Sequence, residues 1–269
     1  MPYRDLDRPP LDASVLRAAL VGPGRFWADV VVTAQTGSTN ADVAAAARAG
    51  APEGTVHTTD LQTAGRGRLD RSWQSPAGSG VIVSVLLRPD SVPAGRWVWL
   101  PLLVGLAVDA TVRGCGVESG LKWPNDVMVD GRKLAGILLE RIDTPTGSAA
   151  IIGVGLNVTL RRDELPVDTA TSLELEGASE TDRTIVLRSF LRNLEALYRA
   201  WSAAEGDPTS GIRESYVRRC LTIGTRVSVS LPDGGALDGM ATGIDDAGRL
   251  LVGGTAVSAG DITHVRSAT

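Results

Sequence analysis

Apolar positions change period along the chain, and each change predicts an element. Leu187, Phe190, Leu191, Leu194, Leu197, Tyr198 and Trp201 recur at intervals of three and four, which predicts one helical face over 184–201. A short helix is expected at 14–20 and a longer, more apolar one at 96–113. The stretch VVVTAQTGSTNADVAAAARAG reads as strand, turn and helix, with Thr39 or Asn40 as the cap and Gly50 as the stop. VHTTDLQTAG enters a glycine-rich loop as a strand and VIVSVLLR leaves it as one. Asp130-Gly131 lies between the apolar runs VMV and KLAGILLE, a strong hairpin signal, and AIIGVGLNVTL adds a further strand. Past Cys220 the pattern shifts to short strands broken by Gly and Asp, which predicts a small β-barrel of about fifty residues. The expected fold is therefore α+β: a mixed sheet with helices over 1–219, including a short N-terminal extension over 1–28, then an all-β unit over 220–269.

Composition narrows the functional classes. A chain of 269 residues that is 43% hydrophobic can bury a large core. The net charge of −4 and pI near 5.3 lack the basic footprint of general DNA or RNA binding, so no DNA partner is expected. Aromatics at 4% are too few for rows of base-stacking rings. Cys115 and Cys220 form no disulfide or metal pattern, and the charged start lacks a leader-like apolar run, which suits a reducing cytoplasm. The most apolar run, 97–112, contains Pro101 and Asp109 and is short for a membrane span, so a buried helix is expected. Only two lysines occur, Lys122 and Lys133, and both fall within LKWPNDVMVDGRKLAG. Three of the four asparagines, Asn40, Asn125 and Asn157, sit beside the segments that carry candidate chemistry.

Common nucleotide motifs are absent: there is no P-loop, and GRGRLD and GVGLNV lack the third glycine of a dinucleotide fingerprint. Three segments remain. Ser38-Thr39-Asn40 fits an ordinary helix cap, or donors at a helix start that hold a polar ligand head. AGRGRLDRSWQSPAG fits a solvated turn or a phosphate clamp, because planar guanidinium groups suit phosphate oxygens and Trp73 can stack on a purine. KWPND with GRKLAG places Lys122, Asn125 and Asp126 before the hairpin, and Lys133 with Gly136 after it, where a ligand can approach closely. Together these are parts for acyl adenylation. A carboxylate attacks the α-phosphorus of ATP, so fixed cations and N–H donors must offset two approaching anions, and Mg²⁺ carries the pyrophosphate charge.

STN, QTAGRGR…R.W.SP.G, KWPND, KLAGIL and GVGLNV occur in the order and spacing of the biotin protein ligases, which the chain resembles from about Val30 to its C-terminus. The resemblance implies a catalytic domain of the biotin/lipoate ligase type followed by an SH3-like domain. It implies formation of biotinyl-5′-AMP, then transfer to one lysine of the carboxyl carrier domain of acyl-CoA or pyruvate carboxylases. Ser38, Thr39, Asn40 and Gln62 would line the biotin ureido end; Gly65, Arg66, Gly67, Arg68 and Gly136 would wrap the rest of biotin, its carboxylate and the phosphate. Lys133 would bond the carboxylate and α-phosphate, Asp126 would orient groups during attack or transfer, and Arg71, Trp73, Lys122, Asn125 and Asn157 would hold ATP. No resident metal site is implied, only ATP with its Mg²⁺. The loop departs from the family's G-R-G-R-x-G-R pattern, with Asp70 where glycine is usual. About thirty residues precede the strand at 30, fewer than a helix-turn-helix domain needs, so a ligase without DNA binding is expected. Two readings stay open beside this one: a lipoate or octanoate ligase of the same fold, and a nucleic-acid-binding protein using the glycine–arginine arm.

Overall fold

The computed structural model describes residues 8–68, 71–230 and 235–258 with their side chains, and 261–264 as backbone. Strand β3 (Gly80–Leu87) is buried at every position, which places it inside a sheet covered on both faces. Its odd positions Val81, Val83, Val85 and Leu87 belong to the main core, while Leu86 belongs to a second cluster with Val43, Ala47, Ala149 and Ile151. The two faces of the sheet thus bury different partners.

The sheet has seven strands in the order β1-β2-β3-β7-β6-β5-β4. They are β1 (Asp29–Thr36), β2 (Thr55–Gln62), β3, β4 (Gly120–Lys122), β5 (Asp126–Val129), β6 (Arg132–Thr144) and β7 (Gly147–Asn157). Only β1 and β2 pair in parallel, through the crossover helix α2 (Thr39–Arg48); the remaining neighbours are antiparallel. The main-core face is covered by α1 (Ala13–Leu20), α3 (Leu100–Gly114) and α4 (Arg183–Ala203), whose Leu187, Phe190, Leu191, Leu194, Tyr198 and Trp201 are buried as their spacing predicts. The stretch Ala94–Gly114 is apolar and long enough to cross a membrane, but 72% of its most apolar 18 residues are buried inside the fold, in keeping with a core helix. It starts as a 3₁₀ turn over Ala94–Trp99 and becomes α-helical with Pro101 in its first turn, where a missing N–H costs nothing.

The one helix on the opposite face, among the described residues, is α2. Its alanines keep it close to the sheet, and Val43 and Ala47 are fully buried. The helix begins one residue earlier than the expected cap: Ser38 holds the N-cap position and makes no side-chain capping bond. Thr39 and Asn40 are therefore inside the helix, and their side chains are released for other partners. Beyond the start of α2, among the described residues, this face of the sheet is covered by no further helix or strand.

After α5 (Ile212–Arg219), strands β8 (Arg226–Ser230), β9 (Ala236–Ile244), β10 (Leu250–Val252), β11 (Thr255–Val257) and β12 (Asp261–His264) form an antiparallel sheet. Its order is β11-β10-β9-β8-β12, so the expected barrel is not closed among the described residues: β11 and β12 remain opposite edges. Alternation and turn spacing are the same for open and closed sheets, because closure depends on tilt and stagger that the pattern does not encode. This unit is fastened by indoles. Trp99 Nε1 donates to Asp246 O at 2.8 Å and Trp123 Nε1 to Gly248 O at 3.1 Å, seating the β9–β10 turn against the start of α3 and the strand leading to β5.

At the other end, Asp60 of β2 pairs with Arg183 of α4 at 2.8 Å, and Arg183 also donates to Pro9 O. Arg183 keeps 4% of its side-chain exposure and Asp60 16%, so losing the carboxylate strands a buried cation. Asp60→Ala is expected to lower stability in urea by roughly 3 kcal/mol, the low end for such a loss. A loss under about 0.5 kcal/mol, the scale of an exposed pair, would show that Arg183 is not bound to this partner in solution.

Candidate functional site

Directly paired residues of neighbouring strands share a face, so the floor of the uncovered region can be read row by row. One row is Gly136–Gly155–Ile82 across β6, β7 and β3; the next is Leu138–Gly153–Ser84; the third is Glu140–Ile151–Leu86, where α2 takes over. Three glycines on two consecutive rungs remove side chains from the floor and leave a cleft at the N-terminal end of α2. Each glycine is filled by a functional side chain rather than by solvent. A Cβ on Gly153 would lie 2.3 Å from Asn40 Oδ1, and one on Gly155 would lie 2.3 Å from Trp73 Cε2.

Lys133 and Gly136 are three apart, which in a regular strand puts them on opposite faces. The β5–β6 pairing shifts register between Val127 and Met128: Val127 opposes Ala135, whereas Met128 opposes Lys133. This bulge spends one extra residue, Leu134, and returns Lys133 to the face of Gly136 and Asp126. The Lys133 ammonium reaches Asp126 Oδ1 at 2.6 Å and lies 5.9 Å from the centre of the Trp73 ring. The expected Asp-Gly turn closes the hairpin, with positive φ at both Asp130 and Gly131. Lys133 is also held from behind: its N–H donates to Thr169 O at 2.7 Å and its carbonyl accepts from Thr171 N at 2.9 Å.

The arginine segment folds back over this floor. Trp73 N donates to Gly65 O and Gly67 N to Arg71 O, so the described part of the loop is a tight hairpin; Leu69 and Asp70 lie outside the described residues. Arg68 Nη1 donates to Asn125 Oδ1 at 2.9 Å, and Asn125 Nδ2 is anchored to Ile137 O on β6. Arg66 lies 3.1 Å from Glu140 Oε1. At the α2 end, Gln62 Oε1 accepts from both Thr39 N and Thr39 Oγ1. One end of the cleft is therefore neutral and rich in hydrogen-bonding groups, and the other gathers cations.

The structure brings Ser38, Thr39, Asn40 and Gln62 together with Arg66, Gly67, Arg68 and Arg71 around one cleft of about 130 Å³. Trp73, Asn125, Asp126, Lys133 and Gly136 line the same space. Three expected residues do not line it. Gly65 lies behind the loop, where a Cβ would strike Trp73 O at 2.3 Å. Lys122 stands on β4, the edge strand, across from Asp126. Asn157 is buried and donates to Thr171 O at 2.8 Å, bracing the segment that holds Lys133 instead of reaching the cleft. Residues the sequence reading passed over include Ser84, Glu140, Gly153 and Gly155; the signal for Glu140 was a lone charge continuing the alternation Gly136, Leu138. Neither cysteine joins the site. Cys115 and Cys220 are free and buried, and burial pushes both thiols up.

Residues 32–157 match the Biotin/lipoate A/B protein ligase family, and residues 222–265 match the biotin protein ligase C-terminal domain. The chain is 46% identical over 275 residues to the biotin--[acetyl-CoA-carboxylase] ligase of Mycobacterium tuberculosis, spanning 99% of this chain and 100% of that protein. It is 36% identical over 242 residues to the bifunctional ligase/repressor BirA of Bacillus spizizenii, spanning 88% of this chain and 71% of that one. Among solved structures, the biotin protein ligase from Aquifex aeolicus in complex with biotin and ATP superimposes with a TM-score of 0.74 at 26% identity, covering 90% of this chain and 100% of that one.

The contact of Trp73 with Gly155 can be checked without any ligand. Gly155→Ala is expected to cost about 1–3 kcal/mol by overpacking against the indole. In a Trp73→Ala background the added methyl meets space, and most of that cost should vanish in urea unfolding. An equal cost in both backgrounds would contradict the packing of Trp73 on the glycine row.

Proposed function

The chain belongs to the biotin protein ligase family, and we propose that its cleft joins biotin to AMP from ATP and passes the biotinyl group to a lysine of a carboxyl carrier domain. The observation that carries this reading is the division of one cleft into a neutral hydrogen-bonding end and a cationic end. A ureido ring offers one carbonyl and two N–H groups, which suits Ser38, Thr39, Asn40 and Gln62. The valerate carboxylate then extends toward Arg66, Arg68 and Lys133.

In the first step a carboxylate oxygen attacks the α-phosphorus, the bond to the bridging oxygen breaks, and pyrophosphate leaves. Both partners are anions, so the barrier is dominated by charge, and pre-placed cations lower it most. Lys133 supplies one cation at the junction of the two reacting groups. Asp126 holds that ammonium in place, and the bulge and the Thr169–Thr171 backbone fix the strand that bears it. Arg66, Gly67 and Arg68 wrap the forming acyl phosphate, with Arg71 beside the phosphates. Trp73 and Asn125 face the nucleoside, and Mg²⁺ enters with ATP and balances the leaving pyrophosphate. In the second step the carrier's neutral lysine nitrogen bonds the acyl carbon, the acyl–phosphate C–O bond breaks, AMP departs, and the new amide nitrogen releases one proton to solvent; Asp126 orients the incoming amine.

The arginine arm is bound to Glu140 and Asn125, which disfavours its use as a nucleic-acid tail. We place the adenylating unit at 1–219 and the smaller unit at 220–269, supported by the separate family match over 222–265. A cytoplasmic location fits the two free, buried thiols.

The test is mass spectrometry of a carrier domain incubated with this protein, ATP and Mg²⁺, with either biotin or lipoic acid. Addition of one biotinyl group and no lipoyl group is expected; modification by lipoate alone would overturn the reading. Lys133→Ala is expected to keep its circular dichroism spectrum and lose pyrophosphate release by about 10²–10³-fold, the usual cost of removing one preorganised donor. Release within a few-fold of wild type would remove Lys133 from the chemistry.

A further inference from the structure

We infer that Glu140 is a positioning residue that sets the donor and acceptor polarity of the ureido end of the cleft and ties that end to the arginine loop. The inference rests on the biotin reading above. Glu140 sits on β6, one row beyond the glycine floor, and its side chain keeps 31% exposure. Its Oε2 accepts from Asn40 Nδ2 at 2.6 Å, while its Oε1 lies 3.1 Å from Arg66 Nη2. One carboxylate therefore touches both a buried amide at the neutral end of the cleft and a guanidinium at the cationic end.

The amide of Asn40 is where the charge of Glu140 has its effect. An asparagine side chain has one accepting and one donating end, and its neighbours decide which way round it sits. A carboxylate at neutral pH only accepts, so Asn40 must turn Nδ2 toward Glu140. Oδ1 then points inward, where Ser84 Oγ donates to it at 2.6 Å. The single hydroxyl proton of Ser84 is shared between two acceptors, Asn40 Oδ1 and Thr39 Oγ1, the latter at 2.7 Å. Thr39 Oγ1 in turn donates to Gln62 Oε1 at 3.0 Å. That bond and the one from Thr39 N keep the Gln62 carbonyl occupied and leave its NH₂ end for other acceptors.

The chain Glu140–Asn40–Ser84–Thr39–Gln62 thus runs the width of the ligand head, and its sense follows from the one group that cannot donate. Among the described residues Glu140 is the charged acceptor bonded to Asn40, and a charged acceptor forms shorter and stronger bonds than a neutral one. Gly153 permits the arrangement, because any side chain there would displace Asn40 Oδ1. Replacing the carboxylate by an amide of the same shape removes its fixed sense. Glutamine can donate to Asn40 Oδ1 as readily as accept from Nδ2, so the flipped network becomes available. Arg66 loses its ion pair at the same time.

The test uses biotin-dependent pyrophosphate release by the full-length protein, with biotin and ATP varied separately. Glu140→Gln is expected to raise KM for biotin about tenfold, with KM for ATP within about twofold of wild type and the urea midpoint unchanged. Ser84→Ala, which removes the next link without touching the loop, is expected to raise KM for biotin in the same way. The double variant should cost less than the product of the two singles, because the second change acts on a chain already broken. Glu140→Asp, which keeps the acceptor-only charge, should recover part of the affinity. Unchanged KM for biotin in either single variant overturns the proposal, as do equal rises for biotin and ATP, or effects that multiply. A wild-type protein that releases no pyrophosphate with biotin would instead strike the biotin reading itself.

Discussion

The ion pair between Lys133 and Asp126 depends on a backbone device, and the rest of the site is arranged around it. Without the extra residue in β6, Lys133 would point to the sheet face opposite Gly136, into the main core with Leu134's neighbours. The bulge costs ladder regularity, but the Thr169–Thr171 segment takes up the backbone groups of Lys133, and Asn157 holds that segment from below. A cation thus stands over an otherwise bare floor with its position over-determined. That is the requirement for stabilising charge that appears only when two anions meet, since a flexible lysine would have to be reorganised at each turnover.

The second constraint is emptiness. An amphipathic helix covers a sheet face as far as its side chains reach, and α2 is both short and alanine-rich. It seals Leu86 and Ile151 but leaves the two rows with Gly153 and Gly155 open. Polar residues then enter from the edges: Asn40 from the helix, Trp73 and the arginines from the folded-back loop, Lys133 and Asp126 from the hairpin. The small C-terminal sheet is coupled to the same region through Trp123, which directly precedes Pro124, Asn125 and Asp126 and whose indole is bonded to Gly248 O.

Local signals carried much of this architecture. The period of α4, the Asp-Gly turn and the alternating runs around the arginine loop each reflect physics within a few residues, and each appears where its pattern predicts. What was not legible depends on registration between distant strands. Ser84 and Glu140 are distant in sequence, and only pairing of β3 with β7 and of β7 with β6 brings them to the same asparagine. The bulge is invisible in KLAGIL because nothing in its composition marks Leu134 as the extra residue. Asn157 was expected to hold ATP through its place in GVGLNV; in the structure it is buried and its amide donates to Thr171 O, a contact that no local pattern announces. The C-terminal strands appear with the spacing expected, but whether such strands close depends on tilt and stagger that spacing does not encode, and among the described residues no closure is seen.

The most direct measurement is a crystal structure of the protein with a non-hydrolysable analogue of biotinyl-5′-AMP. The ureido ring is expected against Thr39, Asn40 and Gln62, the phosphate within hydrogen-bonding distance of Lys133 and Arg68, and the Trp73 ring against the bound molecule. An analogue bound the other way round, with its phosphate at the Thr39 end, would contradict the division of the cleft on which the mechanism depends. So would an analogue seated away from the row of Gly136, Gly155 and Ile82.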